Sequence, residues 1–253
     1  MKPNAFDLTG QTALITGGGT GLGFGIARCF VAVGARVVLM GRRESELNKA
    51  CGILGKSACA LPGDVNQTSQ APALLDAAEK LAGPISILVN NAGIHLKKDA
   101  LHTTDAEFAS VMQTHVFGAF AFAREAGRRM IERKTGNVLF IASMASLFGI
   151  PKIIAYSTAK TATLGLVRAL AMEWGAAGIR VNAIAPGWIQ SDMTTKALGN
   201  DPTRQAKIIG RTPLERLGEA EDIGWAAVYL CSPAGKFVTG AVLPVDGGAA
   251  MGF

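Results

Sequence analysis

Long hydrophobic runs, a leader-like apolar segment, paired cysteines and a basic stripe are all missing from these 253 residues. The apolar stretches break off well short of the roughly 20 residues needed to cross a bilayer, so no membrane partner is expected. Residues 1–10 are polar and lack an apolar signal core, which predicts an unsecreted, cytoplasmic protein. Cys29, Cys51, Cys59 and Cys231 show no C-x-x-C spacing and no partner histidines. That excludes a Cys/His metal site and predicts buried or inert thiols in a reducing compartment. The net charge of +6 suits an anionic partner, including a phosphorylated cofactor. The basic residues are scattered, however, and are not interleaved with aromatics, so nucleic acid is not an expected partner. There is no internal repeat and no Pro/Gly/Ser linker, which predicts one domain over residues 1–253.

What the chain does contain is alternation. Residues 12–16, 36–40, 57–61, 86–89, 136–141, 179–184 and 241–245 are short, apolar and β-branched, and read as strands. Longer helix-like segments separate them. Val37-Val38-Leu39-Met40 is apolar at consecutive positions, as in a parallel strand covered on both faces. The β-α-β order predicts an α/β fold: a Rossmann-type, doubly wound, seven-stranded parallel sheet with helices on both faces. Between residues 186 and 213 the alternation stops and Gly, Pro, Asp, Asn and Thr recur. An irregular insertion of this kind predicts a lid over a site.

Three groups of residues carry chemistry. Gly17, Thr20, Gly21, Leu22 and Gly23 lie in a loop between the first strand and a helix-like run. Glycines there let the backbone turn and approach a pyrophosphate, which the N–H groups at the helix start would hold. No G-K-[ST] follows, which excludes a nucleoside-triphosphate loop of that type. After the second strand stands Gly41-Arg42-Arg43, where an acidic residue would have favoured the free ribose of NAD. The two guanidinium groups favour NADP, with NAD possible. Finally, Tyr156 and Lys160 are four residues apart and share one helix face. An ammonium beside a phenol is expected to lower the phenol's pKa and fit it for proton transfer.

These motifs together resemble the short-chain dehydrogenase/reductase family over essentially the whole chain. The glycine loop follows the family's T-G-x-x-x-G-x-G. Asp64-Val65 is similar to the pair that flanks the adenine, and Asn90-Asn91-Ala92-Gly93 to the N-N-A-G turn lining the cofactor site. Ser143 precedes Tyr156 by the thirteen residues of the family's catalytic serine. Pro186-Gly187 resembles the turn beside the nicotinamide, and Ile189 with Ser191 the segment that holds the carboxamide. Val245-Asp246-Gly247-Gly248 resembles the usual end of the last strand. The resemblance implies an oxidoreductase acting on CH–OH groups. Tyr156 would exchange the proton, Lys160 would lower its pKa and bind the nicotinamide ribose, and Ser143 would hold the substrate oxygen. It also implies a homotetramer with the helices around 105–133 and 154–176 at an interface. One position departs from the family: the fourth catalytic residue, an Asn, is His115 here. A histidine would keep the helix and offer a different hydrogen-bonding edge, pack passively, or titrate near neutral pH.

For the substrate, position nominates His95, Met144, Ala145, Phe148, Ile150 and Trp188. Residues 93–98 and 173–175 resemble gluconate 5-dehydrogenases, and Lys97 or Lys98 would meet a carboxylate. A sugar or sugar acid is therefore the expected substrate. The alternative is a 3-oxoacyl-carrier-protein reductase, for which the resemblance implies two arginines; Arg128 matches one, and the other position is Met172. A reading of another class is a dinucleotide-binding sensor without turnover.

Overall fold

The computed structural model describes residues 4–190 and 201–251. Its strands are β1 (Thr12–Thr16), β2 (Arg36–Gly41), β3 (Ala58–Pro62), β4 (Ile87–Asn90), β5 (Gly136–Ile141), β6 (Ile179–Pro186) and β7 (Val242–Val245). All pair in parallel, in the order β3-β2-β1-β4-β5-β6-β7. The helices are α1 (Gly21–Ala32), α2 (Glu44–Leu54), α3 (Ala71–Ala82), α4 (Asp105–Met112), α5 (Ala119–Arg133), α6 (Ile154–Trp174), α7 (Pro202–Gly210) and α8 (Ala220–Cys231).

The near-continuous apolar strands follow from burial on both faces. Successive side chains of a strand point to opposite sides. Leu14, Val38, Met40, Leu88, Val138 and Phe140 join a core with Leu75 of α3, Phe122 and Met130 of α5 and Val167 of α6. Their neighbours Ile15, Val37, Leu39, Val89, Leu139 and Ile141 join a second core with Ile26 and Phe30 of α1 and Val228 of α8. Helices thus cover both faces, as the sequence pattern predicts.

Two features position the site. The chain leaves β1 towards β2 on one side and later returns to β4 on the other. At such a switch point the connecting loops part beyond the C-terminal strand ends and leave a crevice. The second feature lies between α4 and α5, where Gln113–Gly118 winds as a π-helix. Such a turn widens the helix and re-aims its side chains. The family resemblance implies a long helix around 105–133 here.

The insertion over 186–213 is less irregular than its composition suggests, since α7 occupies Pro202–Gly210. Its Pro near the start and Gly at the end are helix boundary residues as well as loop residues. The segment after β6 is anchored: Gly218 N donates to Trp188 O at 2.9 Å and Gln190 N to Gly218 O at 2.8 Å. Ser191 lies outside the described residues.

Candidate active site

A cavity of about 540 Å³ opens at the C-terminal strand ends. Its walls begin with the glycine loop, which β1 and β4 brace from below. Thr16 Oγ1 accepts hydrogen bonds from Asn91 N and Ala92 N, each at 3.0 Å, and Asn91 Nδ2 donates to Thr16 O at 2.9 Å and Gly17 O at 3.2 Å. Gly23 has to be glycine: a Cβ there would stand 2.6 Å from Asn91 Nδ2 and run into Gly17 O. The first turn of α1 therefore lies directly against the loop, with its N–H groups at the cavity. Arg42 and Arg43 line the same end. Arg43 Nη2 donates to Thr20 Oγ1 at 3.2 Å, while Arg42 has no ion-pair partner among the described residues. Glu46, in the first turn of α2, also reaches this wall, as does Asp64.

Ser143, Tyr156 and Lys160 line the same cavity. Ser143 follows β5 and accepts a hydrogen bond from Ala145 N at 3.1 Å. Tyr156 and Lys160 lie on α6, one above the other. The ammonium of Lys160 is buried and donates to Ile141 O at 2.5 Å. Burial lowers its pKa from 10.5 to about 7. The phenol departs from the sequence expectation. Crowding by protein atoms pushes its pKa above the usual 10, although the residue keeps some exposure at the cavity wall; a hydrogen bond with Ser143 pulls the other way. Nζ lies 5.7 Å from the ring centroid and is turned to the Ile141 carbonyl. Sharing a helix face sets proximity; the direction of the shift here is set by desolvation.

Two imidazoles stand edge-on to the Tyr156 ring, His95 at 5.1 Å and His115 at 5.4 Å between centroids. His115 sits in the π-helical turn and is 4% exposed. Its Nε2 lies 2.7 Å from Ile94 O and 3.1 Å from Ile94 N. One tautomer satisfies one of these contacts, and the shorter assigns the proton to Nε2, donating to the carbonyl. Nδ1 is then a bare acceptor, and it has no hydrogen-bond partner among the described residues. Burial, and then the Lys160 charge, lower the His115 pKa to about 3. The ring is therefore neutral at physiological pH, which corrects the possibility that it titrates there. A Cβ on Gly93 would stand 3.2 Å from both ring nitrogens and closer still to Cε1.

A glycine loop at the switch point and a Ser/Tyr/Lys set beyond β5 and on α6 share one cavity. A family model described as "Enoyl-(Acyl carrier protein) reductase" matches residues 17–250. The chain belongs to the short-chain dehydrogenase/reductase family. Galactitol 2-dehydrogenase (L-tagatose-forming) of Cereibacter sphaeroides is 41% identical over 96% of this chain and 96% of its own. The 2-dehydro-3-deoxy-D-gluconate 5-dehydrogenase of Bacillus subtilis (strain 168) is 38% identical over 97% and 96%. A gluconate 5-dehydrogenase from Burkholderia cenocepacia J2315, solved in complex with NADP and tartrate, superimposes with a TM-score of 0.93 at 33% identity, covering 98% of both chains. These dehydrogenase relatives place the protein among oxidoreductases acting on CH–OH groups.

In this dehydrogenase/reductase, Gly17, Thr20, Gly21, Leu22, Asp64, Val65, Asn91, Ala92, Gly93, Pro186, Gly187 and Ile189 line the cavity with the residues already described. So do Met144, Ala145, Ile150 and Trp188. Three nominated residues do not, and one of them, Lys98, pairs instead with Glu107. Gly23 supports the loop from within α1, and Phe148 lines a separate surface groove, where Arg211 stacks on its ring at 5.0 Å. Asn66 has a structural part that no motif marks. It takes a hydrogen bond from Thr114 Oγ1 at 2.9 Å and another, at its carbonyl, from Gln113 Nε2 at 3.0 Å, tying the Asp64 loop to the π-helical turn. Polar residues at loop–helix spacing carry no sequence signature, so only the fold reveals the link. Burial raises the Cys29 thiol to about 11 and the Cys231 thiol to about 12, which disfavours their thiolates.

Proposed function

We propose that the protein is an NADP(H)-dependent oxidoreductase that interconverts a secondary alcohol and a ketone on a sugar or sugar acid. The observation that carries this is one cavity lined both by an unpaired guanidinium at the end of β2 and by Ser143, Tyr156 and Lys160. The residues present fit a phosphorylated dinucleotide. The glycine loop leaves room for close backbone approach, and Arg42 and Arg43 offer forked donors to a 2′-phosphate. Asp64 and Val65 would flank the adenine. Asn91, Ala92 and Gly93 with Pro186, Gly187 and Ile189 would wall the nicotinamide end, with Ser191 as a further proposed contact. When bound, the cofactor would supply the hydride in reduction and take it up in oxidation.

Ser143 would hold the substrate oxygen by its hydroxyl. Tyr156 would give that oxygen a proton in reduction and take one in oxidation. Lys160 has three donors, one of them engaged by Ile141 O. Turning another towards Tyr156 Oη is the change that would favour the phenolate. His115, held neutral, would fix the Ile94 backbone beside the reacting centre.

We also propose a cytoplasmic homotetramer. No described helix is long and apolar enough to cross a membrane. Phe117 before α5 and Met172 on α6 remain 55% and 86% exposed. Met172 is also uncharged, so the carrier-protein alternative lacks its second cation.

The test is an absorbance assay with NADPH or NADH and a panel of keto-sugars, keto-sugar acids and acetoacetyl thioesters. The expected result is turnover on the sugars, with NADPH favoured by at least about tenfold, or ~1.4 kcal/mol, and a smaller preference in Arg42→Ala. Turnover on thioesters alone would favour the carrier reading. Tight NADPH binding without any turnover would favour the sensor.

A further inference from the structure

Three lysines, Lys97, Lys98 and Lys152, lie on the two segments bridged at Lys98 and Ile153, and two are neutralised. Lys98 reaches both carboxylate oxygens of Glu107 at 2.8 and 2.9 Å. Lys152 lies 3.2 Å from Asp99. Lys97 has no carboxylate partner among the described residues, and it lines the cavity. The backbone explains the division of labour. Lys98 pairs with Ile153 as a parallel bridge, its N–H donating to Lys152 O at 2.7 Å. Exposure alternates along this extended stretch: Ile94, Leu96 and Lys98 are half-buried, His95 and Lys97 exposed. Lys98 is thus turned to α4, while His95 and Lys97 point the other way and line the cavity, as Ile94 also does.

The surroundings sharpen the point. The lining of the cavity that Lys97 joins includes the apolar side chains Met144, Ile150, Pro151, Ile153 and Trp188. The acidic residues that line the cavity, Glu46 and Asp64, stand at the β2 and β3 end. An ammonium on the cavity lining with no carboxylate partner favours an anionic group on whatever enters. His95 touches the Tyr156 ring, and two residues of extended chain carry the backbone ~7 Å further to Lys97. That is the reach of a short carbon chain between a reacting carbon and a terminal carboxylate.

We propose that Lys97 is a specificity-determining residue that selects an aldonic acid or keto-acid over a neutral polyol, by holding the carboxylate remote from the reacting carbon. This deepens, and rests on, the oxidoreductase function proposed above.

The experiment compares wild type, Lys97→Met and Lys97→Arg with NADP+ on gluconate, a six-carbon acid, and galactitol, a neutral six-carbon polyol. In parallel, calorimetry measures gluconate binding to the NADP-loaded protein. The expected result is that Lys97→Met lowers the ratio of kcat/KM for gluconate over galactitol at least about tenfold, mostly through KM. Lys97→Arg restores most of it, and gluconate binding weakens in step. An unchanged ratio and unchanged gluconate binding in Lys97→Met would overturn the role of Lys97. So would a wild type that turns over galactitol and neither binds nor oxidises gluconate, while the oxidoreductase function would stand. Absence of turnover on both sugars would instead count against that function, and the calorimetry would still decide whether Lys97 binds the acid.

Discussion

Lys160 is a buried cation that donates to the Ile141 carbonyl, and burying an ammonium destabilises a fold. Its pKa falls from 10.5 to about 7 in the folded chain. Between those values the unfolded chain binds more protons, so stability rises with pH from about 7 to 10.5 and its full penalty applies below 7. Replacing the lysine by methionine removes the penalty and leaves the Ile141 carbonyl unbonded, a loss of ~1 kcal/mol. The expected outcome is a ligand-free Lys160→Met variant with a higher Tm than wild type at pH 6.5, the difference shrinking towards pH 10, and with turnover lost. A lower Tm at both pH values would show that the ammonium stabilises the fold. The spacing of Tyr156 and Lys160 made their juxtaposition legible in the sequence. The sense of the phenol's shift was not legible, because it depends on atoms from β5 and the residues after it that no local pattern reveals.

Helix boundaries carry the next level of control. The π-helical turn brings His115 under Gly93 and against Ile94, a contact across 21 residues of sequence. Its pKa, lowered to about 3 from 6.5, means the unfolded chain binds more protons between those values. Stability from this group is full above pH 6.5 and is lost as the pH falls towards 3. His115→Asn keeps a side chain able to bond Ile94 and removes that titration. Urea midpoints at pH 7 and 4.5 should show the wild type losing about 2–3 kcal/mol more than the variant. Equal losses would contradict a neutral, buried His115. At this scale the strands were legible to within one or two residues, because burial on both faces leaves an unbroken apolar run. The π-helical turn and α7 were not: one leaves the helical period nearly intact, and the other is a short helix of Pro, Gly and polar residues that look like loop.

The described residues form one sheet with an apolar core on each face, and the site depends on both. β1 and β4 set the cofactor end through Thr16 and Asn91, while β5 and α6 set the chemistry through Ile141, Ser143, Tyr156 and Lys160. Elements from both cores frame one cavity, so a single cooperative unfolding transition is expected by calorimetry, with NADPH raising its midpoint. Light scattering on the same sample should give the mass of a tetramer. Two separate transitions, or a monomer, would contradict the proposed single domain or assembly. The most direct test of the central claim is Tyr156→Phe, read by NADPH oxidation with the best keto-sugar and by NADPH binding. Turnover should fall about 10²–10⁴-fold, the weight of a positioned general acid, with binding retained. A variant that binds NADPH and reduces the sugar at the wild-type rate would contradict it.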